Sequence, residues 1–177
     1  MSSDETTAHL SAQPTLESAP TDQGAGYRRV LIPLDGSQVA EAVLPFVSRL
    51  ARPLRLEIAL LRVTPFVVPQ VVEGSRRVVD DSERLALEAE EYLRGVADRL
   101  CADGFRTLTA VRSGDAATEI VAGVRECQTD LVAMTTHGRS GLGRLLFGSV
   151  AEEVLRRAEV PVLLVRATEA SRAKRAA

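Results

Sequence analysis

Short apolar runs alternate with segments of helical periodicity along the middle of this chain, and this alternation constrains the fold more than any other feature of the sequence. The first run, RRVLIPL, spans Arg28 to Leu34 and predicts a strand. A helical segment follows from Ser37 to Ala51, and its apolar stripe consists of Val39, Val43, Phe46 and Leu50. Pro45 lies inside that segment and predicts a bend, because proline has no N–H to donate and its ring crowds the preceding turn.

The pattern continues with a second strand and a long helix. LRLEIALLRVTP, from Leu54 to Pro65, predicts the strand, whereas the stretch from Phe66 to Asp81 has no clear period and predicts a loop. Asp80 and Glu83 form an Asp-x-x-Glu capping pattern that predicts a helix start, and Gly104 predicts the end of that helix. The apolar face between them comprises Leu85, Ala89, Leu93, Val96 and Leu100.

Three further strands and two helices are predicted in the last third of the chain. The strands are FRTLTAVRSG, DLVAMTT and VPVLLVR. The helix after the first of these has Ala117, Ile120, Val124 and Cys127 on its apolar face, and the helix after the second runs from Ser149 through Val150 and Val154 to Ala158. The predicted order is therefore β-α-β-α-β-α-β-α-β.

This order predicts an α/β fold with an open, doubly wound, five-stranded parallel sheet, Rossmann-like in its winding. Strands that alternate with helices pair in parallel through right-handed crossovers, and strongly apolar strands suit a sheet that is covered on both faces. Four helices cover both faces when the strands take the order 3-2-1-4-5. Ligands of such sheets bind beyond the carboxyl ends of the strands where the winding reverses, here between strands 1 and 4.

The chain has 177 residues, which suits one domain, and we place that domain at 27–167. The segment 1–26 is acidic, contains no Lys or Arg and shows no sustained periodicity, so we expect a disordered tail. The polar segment 168–177 is expected to be a frayed terminus.

Composition and charge argue against several classes of protein. A net charge of −2 and an aromatic content of 3% do not suit a nucleic-acid-binding protein. We find no apolar stretch of about 20 residues and no signal peptide, and therefore expect a cytoplasmic protein without a membrane span. Cys101 and Cys127 lie far apart in sequence near apolar helix faces, which predicts buried free thiols.

A glycine-rich stretch, MTTHGRSGLGRLLFGSV from Met134 to Val150, lies at the predicted switch point. Gly148 and Ser149 begin a helix there, and the free N–H groups of a helix start attract anions such as phosphate. Ser149 and Glu152 equally fit a Ser-x-x-Glu capping box, in which the serine serves only its own helix. The residues alone leave both interpretations open.

Common nucleotide and nucleophile motifs do not match this stretch. Gly138 to Gly143 has the glycine spacing of a P-loop, but Arg144 and Leu145 replace the Lys and Ser/Thr of that motif. The third glycine of the dinucleotide fingerprint is missing, and GRSG lacks the spacing of a nucleophile elbow.

Together with its flanks, the stretch resembles the universal stress protein family. The resemblance runs from RRVLIPLDGS through IALLRVTP to MTTHGRSGLGRLLFGSVAEEVLRRAEVPVLLVR, and it covers Tyr27 to Arg166. In the ATP-binding branch of that family, Gly-x-x-Gly, nine residues and Gly-Ser or Gly-Thr wrap the ribose and phosphates. Here Gly138, nine residues and Gly148-Ser149 match the second part, and Thr135 stands where the first glycine would be.

The resemblance also implies a set of ATP-contacting residues. Asp35 would contact the adenine or ribose side, with Pro33 and Leu34 shaping the pocket and Val63 lining the base. The ribose and phosphate side would comprise Thr135, His137, Gly138, Arg139, Gly148, Ser149 and Val150. From the residues alone, Asp35 is equally a turn residue before Gly36, and His137 and Arg139 equally belong to a solvated loop.

The predicted function is that of an ATP-binding regulatory dimer in the stress response. The resemblance implies a homodimer through the C-terminal strand, ATP or a related adenine nucleotide as ligand with Mg²⁺ or Mn²⁺ as candidate ions, and a protein partner of unknown identity. No catalytic residue and no protein-ligated metal are predicted, so any ATP hydrolysis should be slow. The alternatives are a slow ATPase and a dimeric stress protein that binds no nucleotide.

Overall fold

A five-stranded parallel sheet runs through the centre of the computed structural model, which describes residues 26–66, 70–71, 78–79, 81–136 and 148–166. In chain order the elements are β1 (Arg29–Pro33), α1 (Gln38–Glu41), α2 (Leu44–Leu54), β2 (Glu57–Thr64), β3 (Gln70–Val71), β4 (Val78–Val79), α3 (Ser82–Ala102), β5 (Thr107–Ser113), α4 (Ala116–Glu126), β6 (Leu131–Thr136), α5 (Ser149–Arg157) and β7 (Val162–Arg166). The sheet order β5-β2-β1-β6-β7 confirms the predicted 3-2-1-4-5 winding.

Hydrophobic cores cover both faces of the sheet. Alternate residues of β1 divide between them, since Val30 and Ile32 face one core and Leu31 faces the other. Helices α2 and α3 close the first core, and α4 and α5 close the second. All three of these β1 side chains are fully buried, as expected for a central strand of a doubly wound sheet.

The first predicted helix is two helices in the structure, which corrects the single bent helix expected from the sequence. The chain turns between Glu41 and Leu44 through backbone hydrogen bonds that span only three residues. In one of them the Ala42 N–H donates to the Val39 carbonyl at 3.2 Å. Pro45 occupies the first turn of α2, where its missing N–H is not needed. Proline therefore begins a new helix here instead of bending an old one.

The restart of the helix also changes which apolar residues are buried. Leu44, Val47 and Ala51 form the buried face of α2, whereas Phe46, predicted to belong to the apolar stripe, is 38% exposed beside the Arg49 guanidinium.

Two predictions about the segment between β2 and α3 are also corrected by the structure. The stretch from 66 to 81 is not wholly a loop, because β3 and β4 pair as an antiparallel hairpin within it. The β-branched valines of both short strands favour this pairing. Asp81 is the N-cap residue of α3 and makes no side-chain cap bond, while Asp80 of the predicted capping box lies outside the described residues.

Both cysteines are free thiols, as predicted. Cys101, however, is exposed, whereas the sequence predicted that it is buried. It follows Leu100 by one position on α3 and so points away from the core, with its Sγ 3.2 Å from the Thr107 hydroxyl. Cys127 is half-buried, and this burial raises the pKa of its thiol. Residues 1–25 of the predicted amino-terminal tail and all of the predicted tail 168–177 lie outside the described residues. No helix in the described ranges is both long enough and apolar enough to cross a membrane.

An ion-pair cluster ties the amino-terminal ends of β1 and β2 together. Glu57 accepts a bond from the Arg29 Nε at 2.9 Å, and its other oxygen lies 2.9 Å from the Arg106 guanidinium. The bond from Arg29 is the main cause that lowers the pKa of Glu57 below its usual 4.5, with the charges of both arginines adding to it. Because folding lowers this pKa, the ionised Glu57 carboxylate contributes to the free energy of unfolding above pH 4.5. That contribution is lost as the pH falls through the pKa of Glu57 in the folded protein.

We expect Glu57→Gln to lower the free energy of unfolding at pH 7 and to lower it less at pH 3, because the wild-type carboxylate progressively loses its charge as the pH falls through its lowered pKa. Urea denaturation of both proteins at the two pH values measures this difference. Glu159→Gln is the matched control, because the Glu159 pair with Arg125 is exposed to solvent and should contribute little at either pH. Equal stability of wild type and Glu57→Gln at pH 7 would contradict the prediction.

Candidate functional site

The strands β1 and β6 separate towards their carboxyl ends and leave a crevice at the switch point of the sheet. Their pairing comprises Val30 with Leu131 and Leu31 with Val132, although β1 continues to Pro33 and β6 to Thr136. On its other side β1 stays paired with β2 over its full length. The crevice therefore opens on the β6 side of β1, where doubly wound sheets bind their ligands.

A cavity of about 190 Å³ fills this crevice. Eight of the residues predicted from the sequence line it: Pro33, Leu34, Asp35, Val63, Thr135, Gly148, Ser149 and Val150. These are all of the predicted site residues that the structure describes. His137, Gly138 and Arg139 lie outside the described residues. The fold thus brings together segments that are more than one hundred positions apart in the sequence.

The sequence analysis missed a further group of residues in the cavity wall. They are Ser37, Val39, Ala40, Leu61, Ala116, Ile120, Met134 and Ala151. Leu61 and Ile120 belong to apolar patterns that predicted core positions, and both are indeed buried in the core beneath the cavity. Periodicity identifies such residues as inward-facing but does not show whether the inward side holds protein or a ligand.

The loop after β1 forms one polar edge of the cavity. The Ser37 N–H donates to Asp35 Oδ1 at 2.8 Å, and Ser37 Oγ accepts the Ala40 N–H at 3.1 Å to cap α1. Asp35 therefore serves the turn, as one of its two interpretations predicted, while its exposed carboxylate also borders the cavity. Gly36 lies between them with φ at +87°, a conformation that favours glycine.

The start of α5 forms the opposite polar edge. Gly148 is the N-cap residue with φ 85° and ψ 146°, and Ser149 is already the first helical residue. The capping-box interpretation of Ser149 and Glu152 is therefore wrong, because the serine is not at the cap position. A glycine cap offers no side-chain acceptor to the first turn, so α5 presents N–H groups and the positive end of its dipole beside the cavity.

The start of α4 also borders the cavity through Ala116, but the Asp115 side chain caps this helix. The Asp115 carboxylate accepts bonds from the Thr118 N–H at 2.9 Å and from the Thr118 hydroxyl at 2.7 Å. These bonds, with a smaller effect of the Arg157 charge, lower the pKa of Asp115 and keep it ionised. The start of α5 has no such side-chain cap, so an anion in the cavity would be attracted to α5.

The lining of the cavity divides into apolar and polar groups. Leu61, Val63, Ile120 and Met134 supply apolar side chains, and Asp35, Ser37 and Ser149 supply polar ones beside the Gly148 backbone. Such a division suits a ligand that has an apolar ring joined to polar and anionic groups. In the described ranges, no three His, Cys, Asp or Glu side chains come together in a way that could hold a metal ion.

Comparison with known proteins agrees with this architecture. The family model of the universal stress proteins matches residues 26–166. The chain belongs to the universal stress protein family. A relative in Methanocaldococcus jannaschii, universal stress protein MJ0531, is 36% identical over 79% of this chain and 82% of its own length.

Solved structures show the same fold in proteins whose sequences have diverged further. A universal stress protein in complex with cAMP superposes with a TM-score of 0.60 at 20% identity, covering 80% of this chain and 98% of that protein. The universal stress protein of Archaeoglobus fulgidus in complex with dAMP gives 0.56 at 21% identity, covering 78% and 98%.

Gly148 should be required by its backbone conformation. We expect Gly148→Ala to lower the free energy of unfolding by about 1–3 kcal/mol, because residues with a Cβ rarely adopt these angles. Chemical denaturation of the ligand-free protein measures the change.

Gly95→Ala provides the matched control for this substitution. Gly95 lies within α3, and a Cβ added there would meet no atom within 4 Å. Alanine should therefore stabilise this position by up to about 1 kcal/mol. A Gly148→Ala protein as stable as wild type would show that the angles at position 148 do not demand glycine.

Proposed function

We propose that this protein binds ATP in the cavity at the switch point and acts as a nucleotide-responsive regulatory dimer in the stress response. The observation that carries the proposal is the lining of the cavity, which combines apolar side chains with the glycine-capped start of α5. ATP has the matching division between a planar base and a chain of phosphates. The proposal concerns nucleotide binding and assigns no catalytic residue.

In this proposal the adenine lies among the apolar side chains at the β2 and α4 end of the cavity. Leu61, Val63 and Ile120 would contact its faces, where removal of apolar surface from water stabilises binding. Asp35 would accept a hydrogen bond from the adenine amine or a ribose hydroxyl. Only one of its oxygens is used by the turn in the described structure, so the other is available to a ligand.

The phosphates would lie at the start of α5. Gly148 lets an anion approach the backbone closely, and the Ser149 hydroxyl, exposed and not serving as a cap, is free to donate to a phosphate oxygen. The proposed contacts of His137, Gly138 and Arg139 belong to the same side. Adenine nucleotides are the ligands in the cAMP and dAMP complexes of two structural neighbours, which supports the ligand class for this chain.

The dimer would form through β7, which is an edge strand of the sheet. Three of its apolar residues, Val162, Leu163 and Leu164, are only partly buried within the single chain. An edge strand has backbone groups on one side that a second copy can pair with, and pairing of two such edges around a twofold axis closes the assembly. A protein partner would then recognise the nucleotide-bound dimer.

Isothermal titration calorimetry with ATP, with and without Mg²⁺, tests the proposed function. We expect saturable binding by the wild-type protein and a loss of roughly 10-fold or more in Asp35→Asn, since a hydrogen bond to a charged group contributes about 1.5–3 kcal/mol. Asparagine retains an oxygen for the turn, so the variant should fold normally.

Asp98→Asn is the control for this titration, because Asp98 is exposed on α3 and does not line the cavity. Its affinity for ATP should equal that of wild type. A folded wild-type protein that shows no heat of binding at millimolar ATP would overturn the proposal.

Thr135 provides a second test, because its side chain lines the cavity at the position where the family motif has glycine. We expect Thr135→Gly to change the ATP affinity by less than about threefold, since the cavity is present with threonine in place. The substitution should also weaken the pairing of position 135 with Val165 in β7, because glycine disfavours strands. A gain of tenfold or more, measured by the same titration, would show that Thr135 obstructs the nucleotide and favour the alternative of a stress protein that does not bind ATP.

A further inference from the structure

A cluster of polar side chains lies between α3 and the wall of the cavity, although none of its members lines the cavity. Tyr92 is at its centre. The Tyr92 hydroxyl donates to Glu41 Oε1 at 3.1 Å, and the Arg99 guanidinium donates to Glu41 Oε2 at 2.8 Å. The Arg62 guanidinium stacks on the Tyr92 ring, with its central carbon 4.9 Å from the ring centroid.

Both contacts of Tyr92 lead directly to the loop that borders the cavity. Glu41 is the last residue of α1, whose Val39 and Ala40 form part of the cavity wall. On the other side of the ring, the Arg62 guanidinium lies beneath Gly36, since a Cβ added to that glycine would be only 3.3 Å from it. Tyr92 therefore supports, through one residue each, the two ends of the segment from Gly36 to Glu41.

This segment cannot hold its position by itself. Helix α1 has four residues, and an isolated helix of that length is unstable in water. No residue of α1 is fully buried, so apolar packing anchors it weakly. The Glu41 side chain is only 13% exposed, and a carboxylate so far removed from water needs donors such as Tyr92 and Arg99.

The Tyr92 hydroxyl is protonated, as a donor to the Glu41 carboxylate must be. Burial of the ring, with the nearby Glu41 charge, raises the pKa of Tyr92. The hydroxyl therefore stays protonated at neutral pH and can donate to the Glu41 carboxylate.

We propose that Tyr92 is a positioning residue for the nucleotide site, which holds α1 and the Gly36 turn in the geometry that binds the nucleotide through Glu41 and Arg62. The inference rests on the proposed function. By linkage, nucleotide that orders the Gly36 to Glu41 segment must also change the surroundings of Tyr92 on α3. The site would thereby be coupled to a helix that the nucleotide does not touch.

The first test is the ATP affinity of Tyr92→Phe, which removes one of the donors to Glu41 and keeps the ring beneath Arg62. We expect ATP to bind about fivefold more weakly, within the range of coupling found along contiguous side-chain networks. Tyr27→Phe is the matched control, because Tyr27 lies before β1, is 44% exposed and does not line the cavity. The same loss of a hydroxyl there should leave the affinity unchanged.

The second test observes the Tyr92 side chain directly. It also distinguishes an effect on the position of α1 from an effect on the stability of the whole fold. The chain has only two tyrosines and no tryptophan, so Tyr27→Phe protein labelled with ¹³C in its tyrosine ring gives the NMR signal of Tyr92 alone. We expect that signal to shift on saturation with ATP. Hydrogen exchange of the ligand-free proteins should show faster exchange at Gln38 to Glu41 in Tyr92→Phe, with the core strands unchanged.

The outcomes distinguish this inference from the proposed function. Wild-type affinity in Tyr92→Phe, or a Tyr92 signal that does not move while ATP binding saturates, would overturn the positioning role and leave ATP binding intact. If core strands exchange faster along with α1, Tyr92 is a general packing residue and the inference fails. Absence of ATP binding by the wild type would overturn the proposed function, and this inference with it.

Discussion

The pairing of β1 with its two neighbours determines where everything else in the molecule lies. β1 is bonded to β2 along its full length but to β6 only at its amino-terminal end, and the strands then part. Because the chain winding reverses at this pair, the two strands leave a crevice beyond their carboxyl ends. The cavity therefore results from the separation of β1 and β6, and the loop after β1 supplies polar side chains at its rim.

Two backbone constraints shape that rim. Pro45 cannot donate to the carbonyl of Glu41, so the chain breaks its helix and leaves the short α1 as part of the cavity wall. Gly148 takes an angle that other residues avoid and begins α5 without a capping side chain. The rim therefore depends on contacts from elsewhere in the molecule, among them those of Tyr92 and Arg99 with Glu41.

Several features were predictable from local sequence because local physics determines them. Strands and helices follow the apolar period, and their alternation implies parallel winding and hence the position of the crevice. The turn role of Asp35 was predictable in the same way, since it depends on a bond to Ser37 two residues away. Predictions that concerned helix boundaries did less well: the N-cap residue of α5 is Gly148, one position before the serine that resembles a cap, and Pro45 begins a second helix.

The sequence by itself determined the five strands of the large sheet, their order and the position of the switch point, because these follow from the apolar period of each segment and from the alternation of strands with helices. Only the tertiary structure decided which of the buried side chains border a cavity. Leu61 and Ile120 look like core residues in sequence, and Glu41 and Tyr92 look like ordinary polar positions of exposed helices. Their roles depend on contacts between residues some fifty positions apart, and no local pattern specifies a contact of that kind.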